Sequence, residues 1–447
     1  MTKKTRLIIL LICIVLFFVI IPYILLYSLG YRVDFAKKKI VATGGIYVRV
    51  LPQGANVSID NNASTTTSLF SSAVFVQNLL PGNHSVQIKK AGYYDYQKNL
   101  PVTENQVTKI EHVLLFKKNI AFSLADSNIS YFSFSPDRQK AVLQKNDALQ
   151  DVEIFYPVTA QKKLVAAPFV SSLAEVQWSN DSKKVLFDIS ENYYLLDISL
   201  TPLKIAPLPL LSGTAQVVFD MQDSATFTFV KNKNLFESNK TIALEKNVAA
   251  YKITGTTITW LSYDGYLYNA TIENPLPNKI SLQTFTVNKN STYKLSLLAG
   301  ITFLQENDSL FWLNPASQNI ENFYDPAQTI KLSPDGQKLL YFNSHEIILS
   351  LAGATGQKTL LNRYSQNIND CYWLNSDYLI FSLDNSIIIS EIDSRDNINT
   401  ITLPQSITLA TGQHVDVATP QIYFNQTDGK LYLLTGNTLL SSERLVP

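Results

Sequence analysis

Histidine and cysteine are the residues in this chain best suited to metal or nucleophilic chemistry, and they are few. The sequence has four histidines and two cysteines: His84, His112, His345, His414, Cys13 and Cys371. No histidine lies within four residues of another histidine or cysteine, whereas local metal motifs place their ligands at such short spacings. The sequence therefore predicts no metal site, and His84 and His112 are expected to be strand-surface residues.

Motifs that mark a catalytic domain are absent from the sequence. It contains no G-x-S-x-G elbow, no Walker sequence, no G-x-G-x-x-G and no H-E-x-x-H. A propeller fused to a serine-hydrolase domain is therefore not expected. The sequence designates no catalytic, cofactor-binding or metal-binding residue, predicts no cofactor, and leaves the binding residues unknown. We predict a protein that is not an enzyme.

Four aspartates invite interpretation as catalytic carboxylates, and four tryptophans as platforms for sugars. The aspartates occupy equivalent places in a repeated segment, so each is expected to serve its own turn: Asp137, Asp181, Asp335 and Asp377. The tryptophans lie within strand-like segments of the same repeats, where burial in a core is the expected role: Trp178, Trp260, Trp312 and Trp373.

The composition limits the classes of partner. The chain of 447 residues has 37 basic and 36 acidic residues, a net charge of +1. Nucleic-acid binders usually show a clear basic excess, so no nucleic-acid partner is expected. Cys13 lies in an apolar run, which makes a disulfide with Cys371 geometrically unfavourable, and Cys371 is expected to be a buried small hydrophobe.

An uncharged run, residues 7–29, predicts a transmembrane helix. A helix of that length spans roughly 34 Å, enough to cross the apolar core of a bilayer. A cleaved signal peptide is the rival, but its apolar region is usually shorter and an A-x-A-like site should follow. Cys13 lacks the small residues that would precede a lipoprotein processing site.

The charges beside this run are almost balanced, so they do not fix its orientation. The β-rich sequence that follows favours a single-pass cell-membrane protein, with residues 1–6 cytoplasmic and the C-terminal ectodomain extracytoplasmic. Residues 30–44 are expected to form a juxtamembrane linker. Its basic patch, Lys37 to Lys39, is either simply solvated or contacts lipid headgroups.

Residues 45–116 predict a small β-sandwich. Ile46, Val48 and Val50 alternate with polar neighbours, as in a half-buried strand, and a Ser/Thr-rich loop spans residues 64–72. The segment resembles the PEGA domain family at Pro52-Gln53-Gly54-Ala55, Leu80-Pro81-Gly82-Asn83-His84-Ser85-Val86, Ala91-Gly92-Tyr93 and Val113-Leu114-Leu115. That resemblance implies a β-sandwich of bacterial and archaeal surface proteins, acting as an extracytoplasmic spacer or interaction module.

Residues 120–447 contain a repeat. Aromatic or apolar anchors at positions 134, 178, 332 and 373 precede similar turns, and neighbouring copies are roughly 40 residues apart. Each unit shows two to four short strands and no helix. One such sheet cannot bury its own faces, but several arranged radially can. The repeat predicts a β-propeller of seven or eight blades, with seven slightly favoured, closed by a strand at residues 119–124.

The turns Ser135-Pro136-Asp137 and Ser333-Pro334-Asp335-Gly336-Gln337-Lys338 are similar to those of the WD40-like, TolB-type propeller repeat. This resemblance implies binding of partners on the propeller faces. The leading hypothesis is a membrane-anchored, non-catalytic envelope protein whose propeller binds a protein or a cell-wall glycan. The alternative is a propeller-type glycosidase or lyase with a dispersed site at the channel mouth. A third hypothesis is a sensor that signals through a separate membrane partner.

Overall fold

The computed structural model describes residues 3–35, 38–61, 65–67, 72–146, 148–173, 175–221, 223–273, 276–409 and 411–446. Lys37 of the basic patch and most of the loop at 64–72 lie outside the described residues. The chain forms two compact units. The first comprises Met1–Ile120, Ser390–Ile401 and Leu445–Pro447, and the second comprises Ala121–Ile389 and Thr402–Arg444.

The chain begins with α1 (Lys3–Ser28), the one α-helix among the described residues. Its segment Ile8–Ser28 is apolar and long enough to cross a membrane, and none of it is buried in the protein. Pro22 lies within the helix, where a membrane helix tolerates a proline. The predicted linker then forms a hairpin of β1 (Tyr31–Asp34) and β2 (Lys39–Ala42). The Arg32 guanidinium donates a hydrogen bond to the Tyr27 carbonyl at 2.8 Å, which ties the hairpin to the helix end.

The first unit continues as a β-sandwich. Its strands are β3 (Gly44–Leu51), β4 (Asn56–Ile59), β5 (Thr65–Thr66), β6 (Ala73–Leu79), β7 (Gly82–Lys89), β8 (Tyr96–Val102) and β9 (Val107–Leu114). One sheet has the order β6-β3-β9 and the other β5-β4-β7-β8. Ile46, Val48 and Val50 are buried in the core that the two sheets share, as their alternation predicted.

A buried ion pair lies within the first unit. Lys98, fully buried on β8, donates to Glu391 Oε1 at 2.5 Å and to the Asp393 carbonyl at 2.7 Å. Glu391 also accepts hydrogen bonds from the Tyr96 hydroxyl and the Asn399 side-chain amide. Each charge therefore has the partners that a buried charge requires, and removal of one member would leave the other uncompensated.

The repeated part of the chain begins with β10 (Phe122–Ser127), which is followed by seven antiparallel sheets of consecutive strands. The first sheet contains β11 (Ile129–Phe134), β12 (Ala141–Lys145), β13 (Asp151–Tyr156) and β14 (Gln161–Ala166), the second β15 (Val176–Trp178), β16 (Lys184–Ile189), β17 (Asn192–Asp197) and β18 (Ile205–Pro207), and the third β19 (Ala215–Phe219), β20 (Phe227–Lys231) and β21 (Asn234–Glu237). The fourth sheet contains β22 (Val248–Thr254), β23 (Thr257–Ser262), β24 (Leu267–Thr271) and β25 (Asn278–Lys279), and the fifth β26 (Tyr293–Leu298), β27 (Ile301–Glu306), β28 (Ser309–Leu313) and β29 (Ile320–Tyr324). The sixth sheet contains β30 (Thr329–Leu332), β31 (Lys338–Phe342), β32 (Glu346–Leu351) and β33 (Ala354–Arg363), and the seventh β34 (Ile368–Trp373), β35 (Tyr378–Leu383), β36 (Ser386–Glu391) and β37 (Thr400–Thr402).

A short hairpin of β38 (Ser406–Thr408) and β39 (His414–Asp416) precedes the last strands, β40 (Gln421–Asn425), β41 (Lys430–Thr435) and β42 (Thr438–Arg444). These three strands and β10 form an eighth sheet in the order β10-β42-β41-β40. The first strand of the second unit thus completes the last sheet, with Leu124 opposite Leu440. The closing strand, expected at residues 119–124, lies at Phe122–Ser127. The described chain has eight such sheets, one more than the slightly favoured number of seven.

The sheets bury their faces against each other. From the first sheet to the sixth, each pair of neighbouring sheets shares its own hydrophobic cluster. Another joins the eighth sheet to the first, where Phe134 of β11 stacks on Tyr423 of β40 with ring centroids 4.4 Å apart. The chain is therefore all-β beyond α1, with a sandwich and a closed propeller.

The first strands of neighbouring sheets contact one another. Gln177 of β15 donates to the Val217 carbonyl of β19 at 3.2 Å, and Gln216 of β19 donates to the Ala249 carbonyl of β22 at 2.8 Å. On the other side of the ring, Lys331 of β30 donates to the Cys371 carbonyl of β34 at 2.7 Å. These hydrogen bonds between first strands place them at the centre of the ring.

Candidate functional site

The aspartates of the repeated turns are held within those turns. Ser333 Oγ donates to Asp335 Oδ1 at 2.5 Å, and the same carboxylate accepts the amide of Gln337 at 3.0 Å. Lys338 Nζ lies 2.9 Å from Asp335 Oδ2. Partial burial alone would raise the pKa of Asp335, but these hydrogen bonds and the lysine charge lower it to about 2. Asp335 is therefore an ionised structural group and not a proton donor near neutral pH.

Two further copies of the turn use the same geometry. Ser135 Oγ donates to Asp137 Oδ1 at 2.5 Å, and Ser179 Oγ donates to Asp181 Oδ1 at 2.6 Å. In the fourth copy, the acceptor of the turn amides is Asn375, whose Oδ1 binds the amide of Asp377 at 2.8 Å. The structure thus places the four predicted aspartates in separate turns and does not bring them together as an acid–base pair.

The turns also contact the next sheet. The amide of Asp137 donates to Ser182 Oγ at 3.0 Å, and the amide of Asp335 donates to Ser376 Oγ at 3.1 Å. Ser182 and Ser376 each belong to the turn of the following sheet, so the repeated turns stabilise the ring from one sheet to the next.

Hydrogen bonds within the protein or burial in its cores hold His84, Cys371 and most of the tryptophans. His84 is largely enclosed, with Nδ1 2.6 Å from Asp60 Oδ2 and Nε2 2.7 Å from the Leu80 carbonyl. Cys371 is fully buried, which raises the pKa of its thiol. Trp178, Trp260 and Trp373 are buried, and Trp312 is half-buried. Within the described ranges, no group of three or more His, Cys, Asp or Glu could hold a metal ion.

A cavity of about 220 Å³ opens beside the first strands of the second, third and fourth sheets. Its walls combine apolar and polar side chains, chiefly Trp178, Asn180, Asp220, Met221, Tyr251 and Lys252. Tyr251 is fixed, because its hydroxyl donates to the Gln216 carbonyl at 2.7 Å and lies 3.0 Å from Thr228 Oγ1. Burial raises the pKa of Tyr251 above its usual range, so its hydroxyl stays protonated.

Two features of this cavity suit a ligand. Trp178 is only 9% exposed, and its indole Nε1–H has no hydrogen-bond partner in the described part of the chain. A buried donor without an acceptor is costly to the folded protein. Met221 is 44% exposed at the cavity rim and offers apolar surface. Sequence analysis predicted only a core role for Trp178, because its neighbours from other sheets at this cavity lie 40 to 75 residues away in the chain.

Two other cavities lie between neighbouring sheets. One, of about 610 Å³, is lined by His345, Glu346 and Arg363, among others. Its charges are paired, because Arg363 Nε donates to Glu346 Oε1 at 2.7 Å and the Tyr324 hydroxyl donates to Glu346 Oε2. The hydrogen bond from Tyr324 and the charge of Arg363 lower the pKa of Glu346. The other cavity, lined by Glu245 and Asp264, has a volume of about 440 Å³.

Comparisons with known proteins identify a family for part of the first unit. Residues 43–116 match the PEGA domain family, in agreement with the predicted resemblance. No curated protein matches the chain. Among solved structures, a streptogramin B lyase is similar with 15% identity and a TM-score of 0.41, covering 73% of this chain and 98% of that chain. The computationally designed protein Ika8 is similar with 11% identity and a TM-score of 0.46, covering 74% of this chain and 99% of that chain.

Proposed function

We propose that this chain is a non-catalytic, membrane-anchored envelope protein whose propeller binds a protein or glycan partner. We divide it into a cytoplasmic segment 1–6, a membrane helix 7–29, a juxtamembrane segment 30–44, a PEGA-like sandwich 45–116 and a TolB-type propeller 120–447. The apolar helix is long enough to serve as an anchor, and the length of its apolar run and the lack of an A-x-A-like site after it favour anchoring over cleavage. The family match supports an extracytoplasmic location. An orientation with the N-terminus in the cytoplasm and the ectodomain outside fits both the membrane helix and the extracytoplasmic sandwich.

The cavity beside the first strands carries the binding proposal. It combines an unpaired indole donor, a fixed tyrosine and an exposed methionine with one acidic and one basic side chain. Ligand sites commonly join apolar walls to a few polar groups in this way. The mixed charge of Asp220 and Lys252 fits a partner segment that carries hydrogen-bonding groups of both kinds, such as a peptide backbone or a sugar.

The test is co-sedimentation of the full-length chain in lipid nanodiscs with purified cell-wall material, and separately with envelope membranes. Met221→Arg places a long cation at the cavity rim and should raise the apparent Kd about tenfold, a loss of about 1.4 kcal/mol. Leu351→Arg is the matched control, because Leu351 is also exposed (53%) but lies on β32.

Binding to wall alone would identify a glycan partner, and binding to membranes alone a protein partner. Equal binding by wild type and Met221→Arg would refute the role of this cavity. Pelleting with neither material would refute the binding function itself. Release of new reducing sugar ends from wall material by the wild-type chain would instead support the glycosidase alternative.

A further inference from the structure

The cavity between the third and fourth sheets is built around a buried carboxyl group. The third sheet has three described strands, and the chain after β21 fills the place of a fourth. Leu244 donates its amide to the Leu235 carbonyl at 2.8 Å, and Leu235 donates its amide to the Glu245 carbonyl at 2.9 Å. These two backbone hydrogen bonds fix Glu245 at the wall of the 440 Å³ cavity.

The Glu245 carboxyl has no hydrogen-bond or ion-pair partner among the described residues. The side chain is 6% exposed, its Oε1 is enclosed without a hydrogen-bond donor, and no ion pair reaches it from the described residues. Burial alone raises the pKa of Glu245 to about 7. A carboxyl group that is buried and unpaired in the free protein is costly, and a ligand that supplies a donor would offset that cost.

The lining of the cavity also includes aromatic and acidic side chains. The Tyr268 ring stacks on Trp260 with centroids 5.5 Å apart and planes 21° from parallel. The Tyr268 hydroxyl donates to Asp264 Oδ2 at 2.9 Å, and the Asp264 side chain is exposed. Burial, followed by the hydrogen bond to Asp264, raises the pKa of Tyr268 to about 12, so this hydroxyl stays neutral.

The other charges near the cavity are few. Lys246, the neighbour of Glu245, is exposed and also lines the cavity. On β21, Glu237 is paired with Lys240 at 2.7 Å, and Lys233 at the preceding turn lies over the Tyr263 ring at 4.7 Å. The groups that face the cavity are therefore two carboxyls, one lysine and a tyrosine ring, and its balance is acidic.

We propose that this cavity binds a primary ammonium group on a short alkyl chain, paired with the Glu245 carboxylate and lying against the Tyr268 ring. An ammonium group carries three donors and no acceptor, which matches an unpaired carboxylate. Its charge is attracted by the face of an aromatic ring and by the nearby Asp264. The site is separate from the cavity beside the first strands, so the inference goes beyond the proposed function.

A primary ammonium group on a short alkyl chain can come from two sources, a lysine side chain of a peptide or a free alkyl amine. In either case, binding requires the ionised form of Glu245, so the ligand displaces a proton. With a pKa of about 7, roughly a tenth of the carboxyls are ionised at pH 6 and roughly nine-tenths at pH 8. Because apparent affinity scales with the competent fraction, it should rise about tenfold between these values.

The experiment is calorimetric titration of the full-length chain in detergent with n-butylammonium chloride, with n-butanol as the neutral probe of similar size. We expect saturable binding of n-butylammonium that is about tenfold tighter at pH 8 than at pH 6, and no binding of n-butanol. Nα-acetyl-lysine methylamide is the peptide probe. Tighter binding of this compound than of n-butylammonium identifies a peptide source, and the reverse order identifies a free amine.

Two variants and a control complete the test. Glu245→Gln should reduce the affinity for n-butylammonium at least tenfold and abolish its pH dependence. Asp264→Asn, at an exposed position, should weaken binding a few-fold and keep the pH dependence. Glu273→Gln changes an exposed carboxyl in the loop after β24 and should have no effect. Absence of saturable n-butylammonium binding by wild type, equal binding of n-butanol, or unchanged affinity in Glu245→Gln would overturn the proposal.

Discussion

Replacement of Glu245 by glutamine should stabilise the propeller at alkaline pH and much less at acidic pH. The folded-state pKa of about 7 lies above the ordinary value of 4.5, so the folded protein holds more protons than the unfolded chain between these values. The free energy of unfolding of the wild type therefore falls as pH rises through this window. Well below pH 4.5 the carboxyl is neutral in both states, and its ionisation contributes nothing.

The magnitude follows from the pKa difference. A difference of one pH unit in pKa corresponds to about 1.36 kcal/mol, so complete ionisation of buried Glu245 costs roughly 3 kcal/mol. Glutamine cannot ionise and avoids this cost. The gain of Glu245→Gln over wild type should thus grow by roughly 2–3 kcal/mol between pH 4.5 and pH 8.

Urea unfolding followed by tryptophan fluorescence measures this difference. The four tryptophans all lie within the second unit, so their emission reports on the propeller alone, even in the full-length chain held in detergent. Glu273→Gln is the control and should show no growing difference from wild type. A difference between Glu245→Gln and wild type that stays constant from pH 4.5 to pH 8 would refute the buried, unpaired state of Glu245.

Three further changes test the architecture. Lys98→Ala should destabilise the first unit by about 3–5 kcal/mol, because Glu391 would remain buried without its cation. Faster amide hydrogen exchange in β8 would show the loss of stability, and unchanged exchange would contradict the prediction. Leu439→Ala, in the core that joins the eighth sheet to the first, should cost about 2–5 kcal/mol by urea unfolding, against less than about 0.5 kcal/mol for the exposed Leu360→Ala. Asp335→Asn should cost about 1–2 kcal/mol at pH 6. Since the pKa of Asp335 is lowered to about 2, the stability that its carboxylate contributes is present above about pH 4 and lost as pH falls towards 2. If Asp335→Asn still destabilised the protein at pH 2, the stabilisation would not come from the ionised carboxylate.

Local patterns predicted much of the fold. The Ser-Pro-Asp turns are recognisable because Ser333, Asp335 and Lys338 bind one another within six residues. The sandwich core was visible in the alternation of Ile46, Val48 and Val50, since a strand sends every second side chain to one face. The number of blades was harder, because the middle repeats lack that turn signature and β10 joins its sheet only through pairing with β42.

The candidate sites could not be predicted from local pattern. Glu245 is an ordinary glutamate in the sequence, and its isolation arises only when the third and fourth sheets enclose it. Trp178 Nε1 likewise has no partner because of the way neighbouring strands pack. The pairing of Lys98 with Glu391 joins residues almost 300 positions apart. Such contacts depend on tertiary packing, which neither spacing nor periodicity encodes.

The most direct test of the account is the state of the chain in its native membrane. Membranes are washed with alkaline carbonate, the retained protein is weighed by mass spectrometry, and intact cells are treated with an external protease. We expect a retained chain that still carries α1 and that loses its propeller to the external protease. Release by the wash, a mature chain that lacks α1, or a propeller protected in intact cells would contradict a membrane-anchored ectodomain.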